Sequence, residues 1–387
     1  MKKENQVFNI APASRLNSVS EYYFSRKLKE VAQMNAEGKQ VISLGIGSPD
    51  LPPSNDTLQT MCEQTMRSDV HGYQPYTGIP ELRKGFSDWY KKWYNVDLNP
   101  NTEIQPLIGS KEGILHVTLA FVNPGEQVLV PNPGYPTYTS LSKLLGAEVV
   151  AYNLKEENGW MPDFEELEKM DLSNVKLMWT NYPNMPTGAN ASMDLYEKLV
   201  AFARKHNIVV VNDNPYSFIL NDKPLSLLSV EGAKECCIEF NSMSKSHNMP
   251  GWRVGVIATN AQFIQWILKV KSNIDSGMFR PLQLAAAKAL SCEASWYTEM
   301  NSVYRKRRKL AGDIMHALGC TYDENQVGMF LWGKVPESCE NVEAFTDKVL
   351  YEANVFVTPG FILDKFCRAI FVFSSTKVVL LTSSIAW

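Results

Sequence analysis

The chain has 387 residues, of which 45% are hydrophobic and 20% charged, with 38 Lys and Arg against 41 Asp and Glu. The resulting net charge of −3 excludes the basic footprint of a nucleic-acid binder and the charge excess of a disordered chain. The length predicts roughly two to three domain-sized units.

The first residues, MKKENQVFNIAPASRLNSV, lack the apolar core of a secretory signal. Residues 1–53 read as a loop-rich arm and small-domain segment. No apolar run is long enough to span a bilayer. The seven cysteines are scattered apart from the pair Cys236 and Cys237, so a reduced cytoplasmic protein is expected.

Between 54 and 280 short apolar runs alternate with helical patterns. QVLVP at 127–131, VKLMWT at 175–180, IVVVND at 208–213 and VGVIAT at 254–259 read as buried strands. Stretches 113–122 and 194–206 between them read as helices. Alternation of this kind predicts an α/β unit with a mainly parallel sheet. Ligands on such sheets sit at the carboxyl ends of strands. From 281 to 387 the pattern changes. A helix over 296–318, a strand at 328–332, a helix over 342–353 and a strand at 355–357 predict a smaller α+β unit. The run RKRR at 305–308 falls inside an amphipathic helical pattern and is expected to be a solvated face.

Two segments past strand ends carry chemistry-bearing residues. The first, NSMSKSHNMPGWRVG at 241–255, sets Lys245 among serines, with Arg253 eight residues on. A lysine whose pKa is lowered can form a Schiff base with an aldehyde, and hydroxyls with a guanidinium fork suit a phosphate. The same run also reads as a polar loop with a surface lysine. The second, VVVNDNPYSF at 209–218, ends an apolar strand in Asp213. This aspartate reads either as a turn cap before Asn-Pro or as a buried carboxylate that keeps a ring nitrogen protonated.

Together these segments resemble the class I/II aminotransferases, fold-type I enzymes that use pyridoxal phosphate. LGIGSPD at 44–50, GYQPYTGIPELR at 72–83, IGSKEGI at 108–114, PNPGYPTY at 131–138 and NYPNMPTGA at 181–189 follow in the family's order. The resemblance implies a large cofactor-binding domain with a seven-stranded, mainly parallel sheet and a small α+β domain. It also implies a homodimer that moves an amino group between an L-amino acid and a 2-oxo acid. Lys245 is then the Schiff-base lysine and proton carrier, Asp213 the partner of the pyridine nitrogen, and Tyr216 the partner of the phenolic oxygen. Tyr135 stacks on the ring. Ser110, Lys111, Ser242, Ser244 and Arg253 hold the phosphate, and Tyr73 reaches the phosphate of the neighbouring subunit. Gly47 lies where the N-terminal segment passes the substrate. No metal is implied. A β-lyase or decarboxylase on the same scaffold, and an inactive relative, are the alternatives.

The sequence departs from the family pattern twice. Met185 stands where the family has an asparagine on the phenolic oxygen, which leaves that oxygen to Asn184, one residue earlier, or to Tyr216 alone. The C-terminus lacks the Tyr-x-Arg-Ile-Ser run whose arginine holds the substrate carboxylate. Arg368 is the one arginine there, about four residues early, and is the candidate replacement. The resemblance collapses within one or two residues of Ile362, and the uncharged end at 378–387 has no helix cap. These features predict that the chain past about 362 results from a reading-frame slip. The substrate pocket is expected from the N-terminal arm, residues 276–280 and the partner. Arg280, before Pro281, reads as a helix-start residue or as a second carboxylate site.

Overall fold

The computed structural model describes residues 9–19, 23–363 and 368–373. Twelve strands are described: β1 Ile42–Ser43, β2 Ile104–Leu107, β3 Gln127–Asn132, β4 Glu148–Asn153, β5 Val175–Thr180, β6 Val209–Asp213, β7 Cys237–Ser242, β8 Gly255–Ala258, β9 Phe330–Lys334, β10 Val355–Phe356, β11 Thr358–Pro359 and β12 Ala369–Phe373. Seven of them form one sheet in the order β2-β8-β7-β6-β5-β3-β4. Strands β7, β6, β5, β3 and β4 run parallel. Helices cover both faces of this sheet, as parallel strands require. β8 is the exception, antiparallel to both β7 and β2.

Apolar content makes these strands central. β7 is buried along its whole length and β6 at all but its first residue. The covering helices have local reasons to start and stop. The Met193–His206 helix opens on Ser192, whose hydroxyl accepts the Leu195 N–H at 3.1 Å. Its last turn carries Arg204, Lys205 and His206, and Asn207 closes it at φ +54. It buries Leu195, Leu199 and Phe202 against the sheet, and each such side chain contributes about 1.5–3 kcal/mol. Loss of the Ser192 cap would cost about 1 kcal/mol.

A second group of strands, β11-β12-β9, is antiparallel, and β1 pairs with β10 in parallel. The β1–β10 pair brings the N-terminal segment beside residues 355–356. Gly45 continues that contact, because a Cβ there would lie 2.6 Å from Thr358 Oγ1. β12, Ala369–Phe373, falls within the stretch past about 362 where the frame slip is expected, and the remainder of that stretch at 364–367 and 374–387 lies outside the described residues. Among the described residues no helix is long and apolar enough to cross a membrane, and the six described cysteines are free thiols.

Two expectations need correction, and one expected strand runs against the parallel majority. The N-terminal segment holds a 14-residue helix, Tyr23–Ala36. Its buried face is narrow, with Val31 beside a buried Lys27 that pairs with Asp347 at 2.7 Å, so its apolar pattern is faint. The strand expected at 254–259 is antiparallel. The run at 305–308 is not a uniformly solvated face. Arg307 is buried and pairs with Asp50 at 2.8 Å, while Arg308 donates to the carbonyls of Gln326 and Gly328. Burial pushes the Arg308 guanidinium down to about 10. Arg305 meets Asp222 at the surface.

Candidate active site

The carboxyl ends of the parallel strands open into a cavity of about 410 Å³. β6 delivers Asp213 and β5 leads into Asn181. β7 ends at Ser242, and the short helix Met243–Ser246 after it presents Lys245. The turn before β8 supplies Arg253, and the start of the Ser110–Phe121 helix follows β2. Gly47 enters from the N-terminal segment. Tyr135, Tyr216, Ser244 and Lys111 also line the cavity.

Its electrostatics are polarised. Lys245 Nζ donates to the Gly47 carbonyl at 2.5 Å. Burial, helped by the Arg253 charge, pulls the Lys245 amine down to about 8. A poised amine of this kind becomes a neutral nucleophile near physiological pH. Asp213 is buried, and burial lifts its carboxyl to about 6 against the opposing hydrogen bond from Tyr138. The Tyr138 hydroxyl donates to Asp213 Oδ2 at 2.9 Å, while Oδ1 has no partner among the described residues. A buried, half-satisfied carboxylate needs a donor that the described residues do not supply.

The opposite end is an anion cradle. Gly109 has φ +78, and a Cβ on it would lie 2.1 Å from Arg253 Nη2, so the guanidinium lies directly over the glycine. Gly255 packs similarly, its would-be Cβ 3.0 Å from the Ser110 amide nitrogen. The Ser110 hydroxyl is buried without a partner among the described residues. Free amides at a helix start, an arginine fork and an orphan hydroxyl suit a phosphate. Ser242 caps the lysine-bearing turn, its hydroxyl accepting the Ser244 N–H at 3.2 Å.

Three predicted site residues do not join this constellation. Asn184 is fully buried and closed inside its own turn, its Oδ1 accepting the Thr187 hydroxyl at 2.7 Å. The asparagine that lines the cavity is Asn181, which donates to the Asp213 carbonyl at 2.5 Å and accepts the Met185 N–H at 2.8 Å. Arg368 is exposed and donates to the carbonyls of Pro336, Glu337 and Cys339, so it is spent on a loop away from the cavity and does not clamp a substrate carboxylate there. Tyr73 is 93% exposed and sits in a separate cleft with residues 276–279. Arg280 begins the Arg280–Leu290 helix and pairs with Glu81 at 3.3 Å, as its helix-start reading expects. Sequence reading missed Tyr138 and Asn181. Both lie within motifs already singled out, and Tyr138 is one helical turn from Tyr135, the spacing that brings two side chains together.

Fold and cavity together define a fold-type I scaffold, with a lysine, a buried carboxylate and an arginine over a helix start at the strand ends. The family model for aminotransferase class I and II matches residues 39–371, and the chain belongs to that family. The LL-diaminopimelate aminotransferase of Dehalococcoides mccartyi is 41% identical over 350 residues, 90% of each chain. That of Aquifex aeolicus is 38% identical, again over 90% of each. The apo structure of BacF from Bacillus subtilis superposes with a TM-score of 0.92 at 35% identity, covering 97% of this chain and 96% of that one. The protein is an aminotransferase, and its family depends on pyridoxal phosphate.

Proposed function

We propose that this cavity holds pyridoxal 5′-phosphate and exchanges an amino group between an L-amino acid and a 2-oxo acid. The observation that carries the reading is the unpartnered Asp213 Oδ1, facing a cavity that also holds Lys245 and the phosphate cradle. When bound, the cofactor supplies an aldehyde that captures amino groups and a ring that takes up electrons as the Cα proton leaves. The residues of this chain do the rest. Arg253, the 109–110 backbone and the serine hydroxyls grip the phosphate. Asp213, steadied by Tyr138, keeps the pyridine nitrogen protonated, which makes the ring a better electron sink. Tyr135 covers a face of the ring, and Tyr216 offers its hydroxyl to the phenolic oxygen. Lys245, aimed by the Gly47 carbonyl, would take the proton from Cα and deliver it to the former aldehyde carbon, two bonds further along across the nitrogen.

Tyr73, exposed and lining a cleft apart from this chain's own cavity, supports a homodimer in which each subunit lends that tyrosine to the other. LL-diaminopimelate is the amino donor suggested by the names of the relatives. A second reading, an apolar side chain on the donor, is favoured by Leu28, Ile46 and Leu363, which line the cavity mouth. A donor panel added to the loaded protein decides between them. The expected result is conversion of the bound cofactor to its amine form, reversed by a 2-oxo acid. Release of ammonia with no amine form would instead mark a lyase.

A further inference from the structure

Behind the anion cradle lies a buried charged cluster that the reaction does not use. Lys271 closes the Ala261–Lys271 helix with its side chain only 2% exposed. Its ammonium donates to Glu112 Oε1 at 2.8 Å and to Asp275 Oδ2 at 2.5 Å. Glu112, Asp275 and the buried His116 converge like the ligands of a divalent ion. The Lys271 ammonium already bonds both carboxylates, so the chain itself supplies their cation.

Each carboxylate holds a different piece of backbone. Glu112 lies in the first turn of the Ser110–Phe121 helix. Its Oε2 accepts the Ile108 N–H, and its Oε1 lies 2.6 Å from His116 Nε2. Burial works to raise the Glu112 carboxyl, but hydrogen bonds from its neighbours, including His116 and Lys271, outweigh it and hold the group well below the usual range. The ionised Glu112 thus pins the residue immediately before Gly109 and Ser110. Asp275 Oδ1 accepts the Gly277 N–H at 2.8 Å. Gly277 has φ +82 and presses so closely on the 71–75 segment that a Cβ would lie 2.4 Å from the Gln74 carbonyl oxygen. The His71 ring stacks on Phe279 with centroids 5.9 Å apart. Tyr73 stands in the middle of this contact.

We propose that Lys271 is a positioning residue that sets the cofactor's phosphate cradle and the Tyr73 turn in one fixed relation. The inference rests on the cofactor reading above. A single ammonium neutralises two buried carboxylates. One braces the 108–111 loop from beneath, and the other braces the 275–279 loop against 71–75. Without it, two carboxylates would face each other in a poorly solvated site. Glu112 would then protonate or turn to water and release the Ile108 amide. Nothing in the cluster touches the cavity's lysine or Asp213, so the effect should fall on the phosphate end alone.

The test compares pyridoxal phosphate with pyridoxal, which lacks the phosphate, as ligands of the cofactor-free protein. Lys271→Met should weaken pyridoxal phosphate about tenfold or more, the scale of one lost charge-assisted bond. Pyridoxal should change by less than about threefold by the same reckoning. Hydrogen exchange in the 72–78 peptide should become faster, and bound pyridoxal phosphate should no longer slow it. Glu112→Gln keeps an acceptor for Ile108 but loses the charge, and it serves if Lys271→Met is insoluble. Its ratio of the two affinities should shift in the same direction. Equal loss for both ligands, or an unchanged ratio in either soluble variant, overturns the proposal. If the unmutated protein binds neither ligand, the cofactor reading itself has failed.

Discussion

Asp213→Asn separates what the buried carboxylate does for the reaction from what it costs the fold. A carboxyl that titrates near 6 instead of 3.8 costs the cofactor-free chain about 3 kcal/mol once it is ionised in both states. The sign follows from the direction of the shift. Burial penalises the charged form, so the folded state binds the proton more tightly than the unfolded one. Stability is therefore fully present below 3.8 and is lost as pH rises through about 6. Asparagine carries no charge, and its carbonyl can still accept the Tyr138 hydroxyl that now meets Oδ2. The cofactor-free variant should match the parent at low pH and exceed its stability by up to about 3 kcal/mol at pH 7. With cofactor the order reverses. Without the carboxylate the ring nitrogen is not held protonated and the ring is a weaker electron sink, so the rate should fall by more than about tenfold, or ~1.4 kcal/mol. Thermal melts of the cofactor-free proteins at several pH values, with single-turnover transamination of the loaded ones, read both halves. A rate loss below about tenfold, or a stability difference that does not grow with pH, would refute the reasoning.

Gly109→Ala should fold but bind pyridoxal phosphate at least about tenfold more weakly, because the new methyl displaces the Arg253 guanidinium and the backbone there is strained by about 1–3 kcal/mol; an unchanged affinity in a direct titration would remove Arg253 from the cradle. Arg368→Ala should leave the amino-donor KM within about twofold, since a lost surface bond to a carbonyl is worth little, and a large rise in KM would return that arginine to the substrate. Capture of the cofactor by Lys245 requires the neutral amine, so its rate in stopped-flow should rise with pH and level off above about 8. An inflection near 10.5, the ordinary lysine value, would mean that the amine is not poised.

The parts of the site that the sequence made legible are those at strand ends. Apolar runs such as 208–213 mark the buried strands, and in a parallel sheet their carboxyl ends converge, so the sequence alone places Asp213 with the segment carrying Lys245. Direction was not legible, because an apolar run reads the same either way, and β8 proved antiparallel. Side-chain aim was not legible either. Asn184 and Asn181 share one turn, but the Thr187 hydroxyl and amide claim Asn184 and leave Asn181 at the cavity. Arg307 and Arg308 look like surface charges until Asp50 and the Gln326 and Gly328 carbonyls arrive from distant parts of the chain. Likewise, only the folded chain brings Lys271 to Glu112, 159 residues away.

The central claim is that Lys245 captures pyridoxal phosphate in this cavity. Borohydride reduction of the loaded protein, followed by peptide mapping, tests it most directly. The account predicts one stable pyridoxyl label, on Lys245, that is absent from Lys245→Ala. A label on another lysine, or equal labelling of the variant, would contradict it.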